Sequence, residues 1–250
     1  MSATGVVAAF DFEARCLGER RRHSGGLWSL RDGSLVSVSG IGADNAARAA
    51  RTLVAAGAGA LLSWGVAGGL DPSLRCGAAV LPGAVLRDSA GRGAPPRYET
   101  CASWREPLMN ALQRHAPVVA GTLLSSATPV AAAALKAQLY GATHAVAVDM
   151  ESAAVAEVAA QHALPFIVLR VILDTAADSL PGSILRAFDP AADRSGLSRA
   201  WQLLSALLTT PSDLPPLLRL AGQYRRAQRA LRDCVRFGDP TRRIDRPGAR

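Results

Sequence analysis

The sequence predicts an α/β fold, a three-layer sandwich in which helices cover both faces of a central mixed, mostly parallel, twisted sheet. Apolar segments of strand length alternate with alanine-rich segments of helix length, which is typical of sheets whose strands are joined by crossover helices. Hydrophobic residues make up 49% of the 250 residues, enough for a sizeable core. No internal repeat is visible and no domain boundary precedes Pro211, so we expect one domain over residues 1–210.

The individual elements follow from apolar runs and turn signals. Asp32-Gly33 predicts a hairpin, because this dipeptide favours a tight turn between strands. Residues 65–69 are glycine-rich and follow a buried strand, which predicts a tight turn where a ligand can approach the backbone. Residues 87–104 are rich in Gly, Pro and Arg and predict an exposed loop. The predicted strands cover residues 6–10, 27–30, 34–38, 60–64, 78–81, 118–124, 145–148 and 166–173. The predicted helices begin near Glu13 and cover residues 43–56, 129–139, 152–162 and 197–208.

The chain changes character after residue 210. Residues 211–237 predict a basic amphipathic helix, because apolar side chains recur at helical spacing and arginines fall mainly on the other side. The helix either docks on the core with a solvated arginine face or lies on an anionic lipid surface. Residues 238–250 predict a disordered tail. The apolar positions are Leu214, Leu217, Leu218, Ala221, Tyr224, Leu231 and Val235, and the arginines are Arg219, Arg225, Arg226, Arg229, Arg232 and Arg236.

Composition excludes several classes of function. The net charge is +8, but Lys136 is the only lysine, and such an arginine-rich composition more often reflects coding bias than a nucleic-acid surface. Aromatic residues are only 5%, so the stacking surface of a single-strand binder is missing. The four cysteines lack metal-ligand spacing, so no metal is expected. No secretory signal and no apolar run of spanning length is visible, so we expect a cytoplasmic protein that binds no nucleic acid.

Three carboxylates are placed where predicted strands end. Glu151 follows the strand that ends at Val148, Asp174 follows the strand over 166–173, and Glu13 follows the first strand. Taken singly, each has an ordinary explanation as a helix cap, a first-turn acid or an ion-pair partner. Ligands in open α/β sheets bind at the carboxyl ends of strands. Together the three acids can hold a sugar, activate a water and protonate a leaving group, which is the set needed to cleave a sugar from a base.

Four segments carry a resemblance to a known family. Residues 9–13, 65–70, 148–156 and 170–174 resemble the nucleoside phosphorylase superfamily, and within it the 5′-methylthioadenosine/S-adenosylhomocysteine nucleosidases. Gly-Leu-Asp-Pro at 69–72, a short loop after Arg87 and the basic C-terminal helix are most similar to the hopanoid-associated phosphorylases. That subgroup is thought to remove adenine from adenosylhopane to give ribosylhopane.

The resemblance implies a role for each acid. Asp174 would protonate N7 of the leaving adenine, Glu151 would hold the ribose 2′- and 3′-hydroxyls with Met150 packed on the sugar, and Glu13 would activate the attacking water. No cofactor or metal is implied. The other binding residues that the resemblance implies are Phe10, Val66, Ala67, Gly68, Ser125, Ser126, Pro129, Val130 and Arg170.

Departures from the family pattern bear on the nucleophile and the substrate. Phosphate-using members carry an arginine where this chain has Ser63, which favours water, although phosphate as co-substrate stays open with Arg15 or Arg48 as its ligand. The short loop and the basic helix favour a bulky, lipid-linked 5′-group, with peripheral contact to the inner membrane surface. The alternatives are a methylthioadenosine, adenosylhomocysteine or futalosine nucleosidase and a non-catalytic nucleoside-binding protein. Relatives imply a homo-oligomer.

Overall fold

The computed structural model describes residues 3–88, 94–179 and 214–242, and it confirms the α/β fold. The predicted helix over 197–208 and most of the predicted tail lie outside these ranges. The strands are β1 Thr4–Ala8, β2 Arg20–Arg22, β3 Trp28–Leu30, β4 Leu35–Val38, β5 Ala60–Gly69, β6 Ala79–Val80, β7 Ala84–Arg87, β8 Arg97–Glu99, β9 Val118–Val119, β10 Thr122–Ser125, β11 Ala147–Asp149 and β12 Phe166–Asp174. The helices are α1 Asp11–Cys16, α2 Ala43–Ala55, α3 Ala102–Gln113, α4 Ala133–Thr143, α5 Ser152–Gln161 and α6 Leu214–Gly238.

The described strands form one mixed, mostly parallel sheet. Its main path runs β2-β3-β4-β1-β5-β11-β10-β7-β8, while β12 pairs with β5 and β6, and β6 also pairs with β9. The central strand β5 changes partners along its length. It pairs parallel to β1 as far as Trp64, parallel to β12 as far as Gly68, and antiparallel to β11 at Gly68 and Gly69. The carboxyl ends of β1 and β12 therefore lie beside the second half of β5 and the end of β11.

Helices cover the two faces of the sheet, as predicted. Helices α2 and α5 pack on one face through buried residues such as Leu53 and Val155. Helices α1, α3 and α6 contribute to the other apolar cluster through residues such as Ala14, Leu108 and Leu231. The alternation of strand and helix in the sequence thus gives three layers, because each helix buries its apolar side on the sheet.

Several element predictions are wrong. The segment 65–69 is not a turn but the continuation of β5, where missing side chains make room for neighbouring groups. The predicted strand 118–124 is broken into β9 and β10 at Gly121, whose φ of +122° suits glycine. The predicted loop 87–104 contains β8, paired to β7, and the start of α3. Helix α4 begins at Ala133 rather than at Pro129.

Helix α6 docks on the core, one of the two alternatives left open by the sequence. Ala227, Leu231 and Cys234 are buried, and the helix packs against α1, α3, β6 and β12. The arginines of this helix that the sequence places on its other side are exposed: Arg219, Arg225, Arg226, Arg229, Arg232 and Arg236. Among the described helices, none combines the length and apolar character needed to span a bilayer.

We predict that Leu231→Ala lowers the free energy of unfolding by about 2–5 kcal/mol, because it leaves a cavity under α6. Leu231 is fully buried in the cluster that joins α6 to the sheet. Chemical denaturation checks this, with Arg225→Ala as the exposed control in the same helix, expected to change stability by less than about 0.5 kcal/mol. Equal effects of the two variants would contradict the docking of α6.

Candidate active site

A cavity of about 140 Å³ opens where β1, β5, β11 and β12 end. Its wall is mostly apolar, with carboxylates at Asp149, Glu151 and Asp174. The position agrees with the rule that small molecules bind beyond the carboxyl ends of strands in α/β sheets. The lining residues are Phe10, Ile41, Val66, Ala67, Gly68, Thr128, Pro129, Val130, Val148, Asp149, Met150, Glu151, Leu173 and Asp174.

Asp174 ends β12 on the cavity wall and is paired with a buried cation. The ammonium of Lys136, on α4, donates to Asp174 Oδ2 and to the backbone oxygens of Thr175 at 2.8 Å and Asp178 at 2.9 Å. Burial raises the pKa of Asp174, whereas the Lys136 ammonium opposes that rise. The carboxyl therefore keeps its proton to higher pH than a free aspartate does, while the ammonium favours its ionised form.

Glu151 lies between β11 and α5 with its carboxylate held by backbone donors. Its Oε1 accepts from Gly42 N at 2.8 Å and its Oε2 from Met150 N at 3.2 Å. Burial and the nearby Asp149 raise the pKa of Glu151, while the Arg170 guanidinium, 3.8 Å from Oε2, lowers it. Each carboxylate oxygen keeps further acceptor capacity, so the group can accept from a pair of ligand hydroxyls.

Glu13 lies directly behind the cavity wall. Its Oε2 accepts from Phe10 N and its Oε1 from Val66 N, each at 2.9 Å, and the donors belong to two lining residues. Burial raises the pKa of Glu13 to about 7, against the lowering effect of Arg170. A carboxylate with this pKa can accept a proton near neutral pH.

The buried guanidinium of Arg170 lies behind the cavity wall and interacts with the acids. Arg170 Nε donates to Asp149 Oδ2 at 2.8 Å, and its Nη2 donates to Ser63 Oγ at 2.9 Å and Ser152 Oγ at 3.2 Å. Burial by itself would lower the pKa of Arg170, but Asp149, Glu151 and Glu13 together raise it. The guanidinium therefore stays charged and offsets part of the negative charge gathered at the cavity.

Glycines of β5 make room for this arrangement. A Cβ at Gly65, whose φ is +149°, would overlap the Glu13 carboxylate and lie 2.7 Å from Arg170 Nη1. A Cβ at Gly68 would lie 3.4 Å from Asp174 Oδ2. The backbone at Gly65 therefore approaches Glu13 and Arg170 this closely because it lacks a side chain, whereas a Cβ at Gly68 would make an ordinary van der Waals contact.

The structure brings most of the sequence-predicted site residues to one cavity. Those in its wall are Phe10, Val66, Ala67, Gly68, Pro129, Val130, Met150, Glu151 and Asp174. Glu13 and Arg170 lie behind the wall rather than in it. Ser125 and Ser126 lie outside the wall, because their hydroxyls are turned to the backbone: Ser125 Oγ accepts from Ala153 N, and Ser126 Oγ from Thr128 N.

Sequence reasoning missed several contributors, among them the lining residues Val148, Asp149 and Leu173. Lys136 lies within a predicted helix with no local sign of burial, and only its being the single lysine of the chain distinguishes it. The turn at 40–42 supplies Ile41 to the wall and the Gly42 N–H to Glu151. Thr128 lies in the wall and precedes the two residues that were predicted there.

Gly65→Ala should destabilise the protein by roughly 2–6 kcal/mol, because backbone strain of about 1–3 kcal/mol adds to overpacking of about 1–3 kcal/mol. The matched control is Gly18→Ala: its φ is also positive, at +111°, but no atom lies within 4 Å of the added Cβ. Denaturation of both variants separates the two contributions. A loss at Gly65 no larger than at Gly18 would contradict the close packing of Glu13 and Arg170.

Comparisons with solved structures agree with this fold. The 5′-methylthioadenosine/S-adenosylhomocysteine nucleosidase of Neisseria meningitidis, solved with methylthio-immucillin-A, has a TM-score of 0.63 and 24% identity, covering 71% of this chain and 87% of that one. The Helicobacter pylori enzyme with butyl-thio-DADMe-Immucillin-A has a TM-score of 0.63 and 23% identity, covering 75% and 91%. The Colwellia psychrerythraea enzyme with adenine has a TM-score of 0.61 and 23% identity, covering 70% and 84%.

The family assignment of the chain rests on a comparison of its sequence. No curated protein matches the chain. The family model of the phosphorylase superfamily, in contrast, matches residues 15–209, more than half of the chain. The chain therefore belongs to the phosphorylase superfamily and is an enzyme of the nucleosidase or nucleoside phosphorylase type.

Proposed function

We propose that the protein cleaves the N-ribosidic bond of a 5′-substituted adenosine and releases adenine. The observation that carries the proposal is the gathering of three carboxylates in different environments around one cavity. Asp174 is buried beside an ammonium, Glu151 is held by two backbone N–H groups, and Glu13 has a pKa of about 7. Pairs of acids whose environments give them different pKa values are typical of sites that combine acid and base catalysis.

The leaving base needs a proton. Adenine leaves poorly as an anion, and protonation at N7 lets it leave as a neutral molecule. Asp174 lies in the cavity wall near Val130 and Leu173, whose apolar side chains suit a purine ring. Because burial raises its pKa, this carboxyl can carry the proton that the base takes.

The sugar becomes positively charged as the bond breaks. Glycoside cleavage passes through an oxocarbenium-like transition state, and a carboxylate fixed beforehand stabilises that charge. Glu151 is held by Gly42 N and Met150 N and can accept the ribose 2′- and 3′-hydroxyls. Met150 lies beside it in the wall and can pack on the sugar ring. We therefore assign protonation of the leaving base to Asp174 and binding of the ribose hydroxyls to Glu151.

Water is the nucleophile that we favour over phosphate. Ser63, where phosphate-using relatives carry arginine, is fully buried and accepts from Arg170. Arg15 is exposed and paired with Asp11, and Arg48 is exposed and bonded to Asn45, so neither enters the cavity wall. None of the described lining residues carries a positive charge. A phosphate dianion would lack the concentrated donors that it needs.

We further propose that the 5′-group is bulky and apolar, with adenosylhopane as the favoured substrate. Support comes from the apolar cavity wall and from the exposed arginines of α6, which can meet anionic headgroups at the inner membrane surface. The short loop 87–104 adds no support, because none of its described residues lines the cavity. The alternative is a methylthioadenosine or adenosylhomocysteine nucleosidase, favoured by neighbours solved with methylthio- and butylthio-inhibitors.

The test uses purified protein with three nucleosides: methylthioadenosine, adenosylhomocysteine, and an adenosine with a long 5′-alkyl chain in anionic vesicles. We expect adenine and a free sugar without phosphate, the highest kcat/KM for the lipid-tailed nucleoside, and a loss in kcat of roughly 10²–10⁴ for Asp174→Asn. Release that requires phosphate and yields a sugar 1-phosphate would refute hydrolysis. Binding without turnover of any nucleoside, equal in wild type and Asp174→Asn, would identify a binding protein.

The pH dependence of kcat/KM should have an acid limb near pH 7. Glu13 must be ionised to accept a proton from water, and its pKa of about 7 means that this form is gained as the pH rises through 7. The same raised pKa makes the contribution of Glu13 to folding stability greatest below about pH 4.5 and lost as the pH rises through 7. Initial rates from pH 5 to 9 check the limb. An acid limb of the kcat/KM profile near pH 4.5 would contradict the burial of Glu13.

A further inference from the structure

The only lysine of the chain is buried beside the candidate acid. Lys136 has no exposed surface, although a lysine is almost never fully buried unless it is paired. Its three N–H donors are all used, by Asp174 Oδ2 and by the backbone oxygens of Thr175 and Asp178. The ammonium is therefore fixed in position, and its donors are all directed at the protein rather than at a substrate.

We propose that Lys136 is a positioning residue that acts on the reaction through Asp174, by fixing one carboxylate oxygen and stabilising the negative charge that develops there as the proton moves to the leaving base. This inference rests on the proposed function of Asp174. In the step itself, the O–H bond of Asp174 breaks, an N–H bond forms at N7 of the base, and the electron pair of the C–N bond goes to the base. Asp174 ends as a carboxylate beside a cation that has not moved.

The physical reason is the cost of making a carboxylate in a dry site. Asp174 is only 5% exposed, so its charged form is poorly solvated. Without a cation, the acid would hold its proton too firmly to give it up as the bond breaks. The Lys136 ammonium replaces the missing water at Oδ2 and costs little reorganisation, because Thr175 and Asp178 already hold it.

The other groups around Asp174 do not replace this cation. Asp178, in the segment after β12, is a second acid that raises the pKa of Asp174. Partial burial would raise the pKa of Asp178, but hydrogen bonds from Thr175 and from Gln223 of α6 lower it. Cys76, before β6, has its pKa raised by burial, so its thiol is neutral. Among the described residues around Asp174, Lys136 is thus the one whose charge favours the ionised form of this carboxyl.

The experiment compares Lys136→Met and Lys136→Gln, which remove the charge, with Lys136→Arg, which keeps it. The matched control is Thr175→Val, which removes the Thr175 Oγ1 bond to Asp178 and so loosens the same segment without removing the cation. The first readout is the titration of Asp174 by ¹³C NMR of aspartate-labelled protein, assigned by the signal lost in Asp174→Asn. The second is the basic limb of the kcat/KM–pH profile, where the protonated acid is lost.

We expect the Asp174 titration midpoint and the basic limb to move up by about one to three pH units in Lys136→Met and Lys136→Gln, the usual effect of one neighbouring opposite charge. Neither should move in Thr175→Val, and Lys136→Arg should move them least among the Lys136 variants. An unchanged midpoint in whichever uncharged variant folds, or an equal shift in Thr175→Val, overturns the inference. A wild-type protein that cleaves no adenosine derivative refutes the proposed function separately, because the NMR titration needs no substrate.

Discussion

The site depends on one buried guanidinium. Arg170 lies in the middle of β12, only 1% exposed, and its charge faces Asp149, Glu151 and Glu13. Several carboxylates cannot be gathered in a dry region unless a cation and directed donors compensate them. Arg170 provides the cation, while Phe10, Val66, Gly42 and Met150 provide backbone N–H groups. Among the described residues of the cavity wall, Asp149 and Glu151 have polar contacts with the guanidinium, so its part is to hold these acids in place.

The sheet explains why these groups meet. Strand β5 runs beside β1 and β12 and then beside β11, so that the ends of these three strands lie around its glycine-rich second half. Glu13, Glu151 and Asp174 each follow or end one of the neighbouring strands. Helix α6 joins this region through Gln223, which donates to Asp178 at 2.8 Å, and Asp178 in turn holds Lys136 through its backbone oxygen. The basic C-terminal helix is therefore connected by hydrogen bonds to the segment that positions the candidate acid.

The sequence was informative where the pattern is local and misleading where the partner is distant. Alternating apolar runs predicted the fold class, and acids at strand ends predicted which side chains share a cavity. The glycines at 65–69 predict a turn but lie within a strand, because nothing in the local pattern reveals that Gly65 makes room for Glu13 and Arg170. Lys136 was missed since its partner Asp174 is 38 residues away along the chain. The burial of Ser125 and Ser126 against the backbone likewise depends on contacts that no single-sequence pattern encodes.

We propose that Glu13, Glu151 and Asp174 all act on one bound nucleoside. The most direct test is a crystal structure of the protein with a non-cleavable analogue, an adenine-like base joined to a cationic ribose-like ring. We expect N7 of the base within hydrogen-bond distance of Asp174, the ring hydroxyls on Glu151, and a water between the ring and Glu13. An analogue bound elsewhere, or seated in this cavity with its base turned away from Asp174 and its hydroxyls away from Glu151, would contradict it.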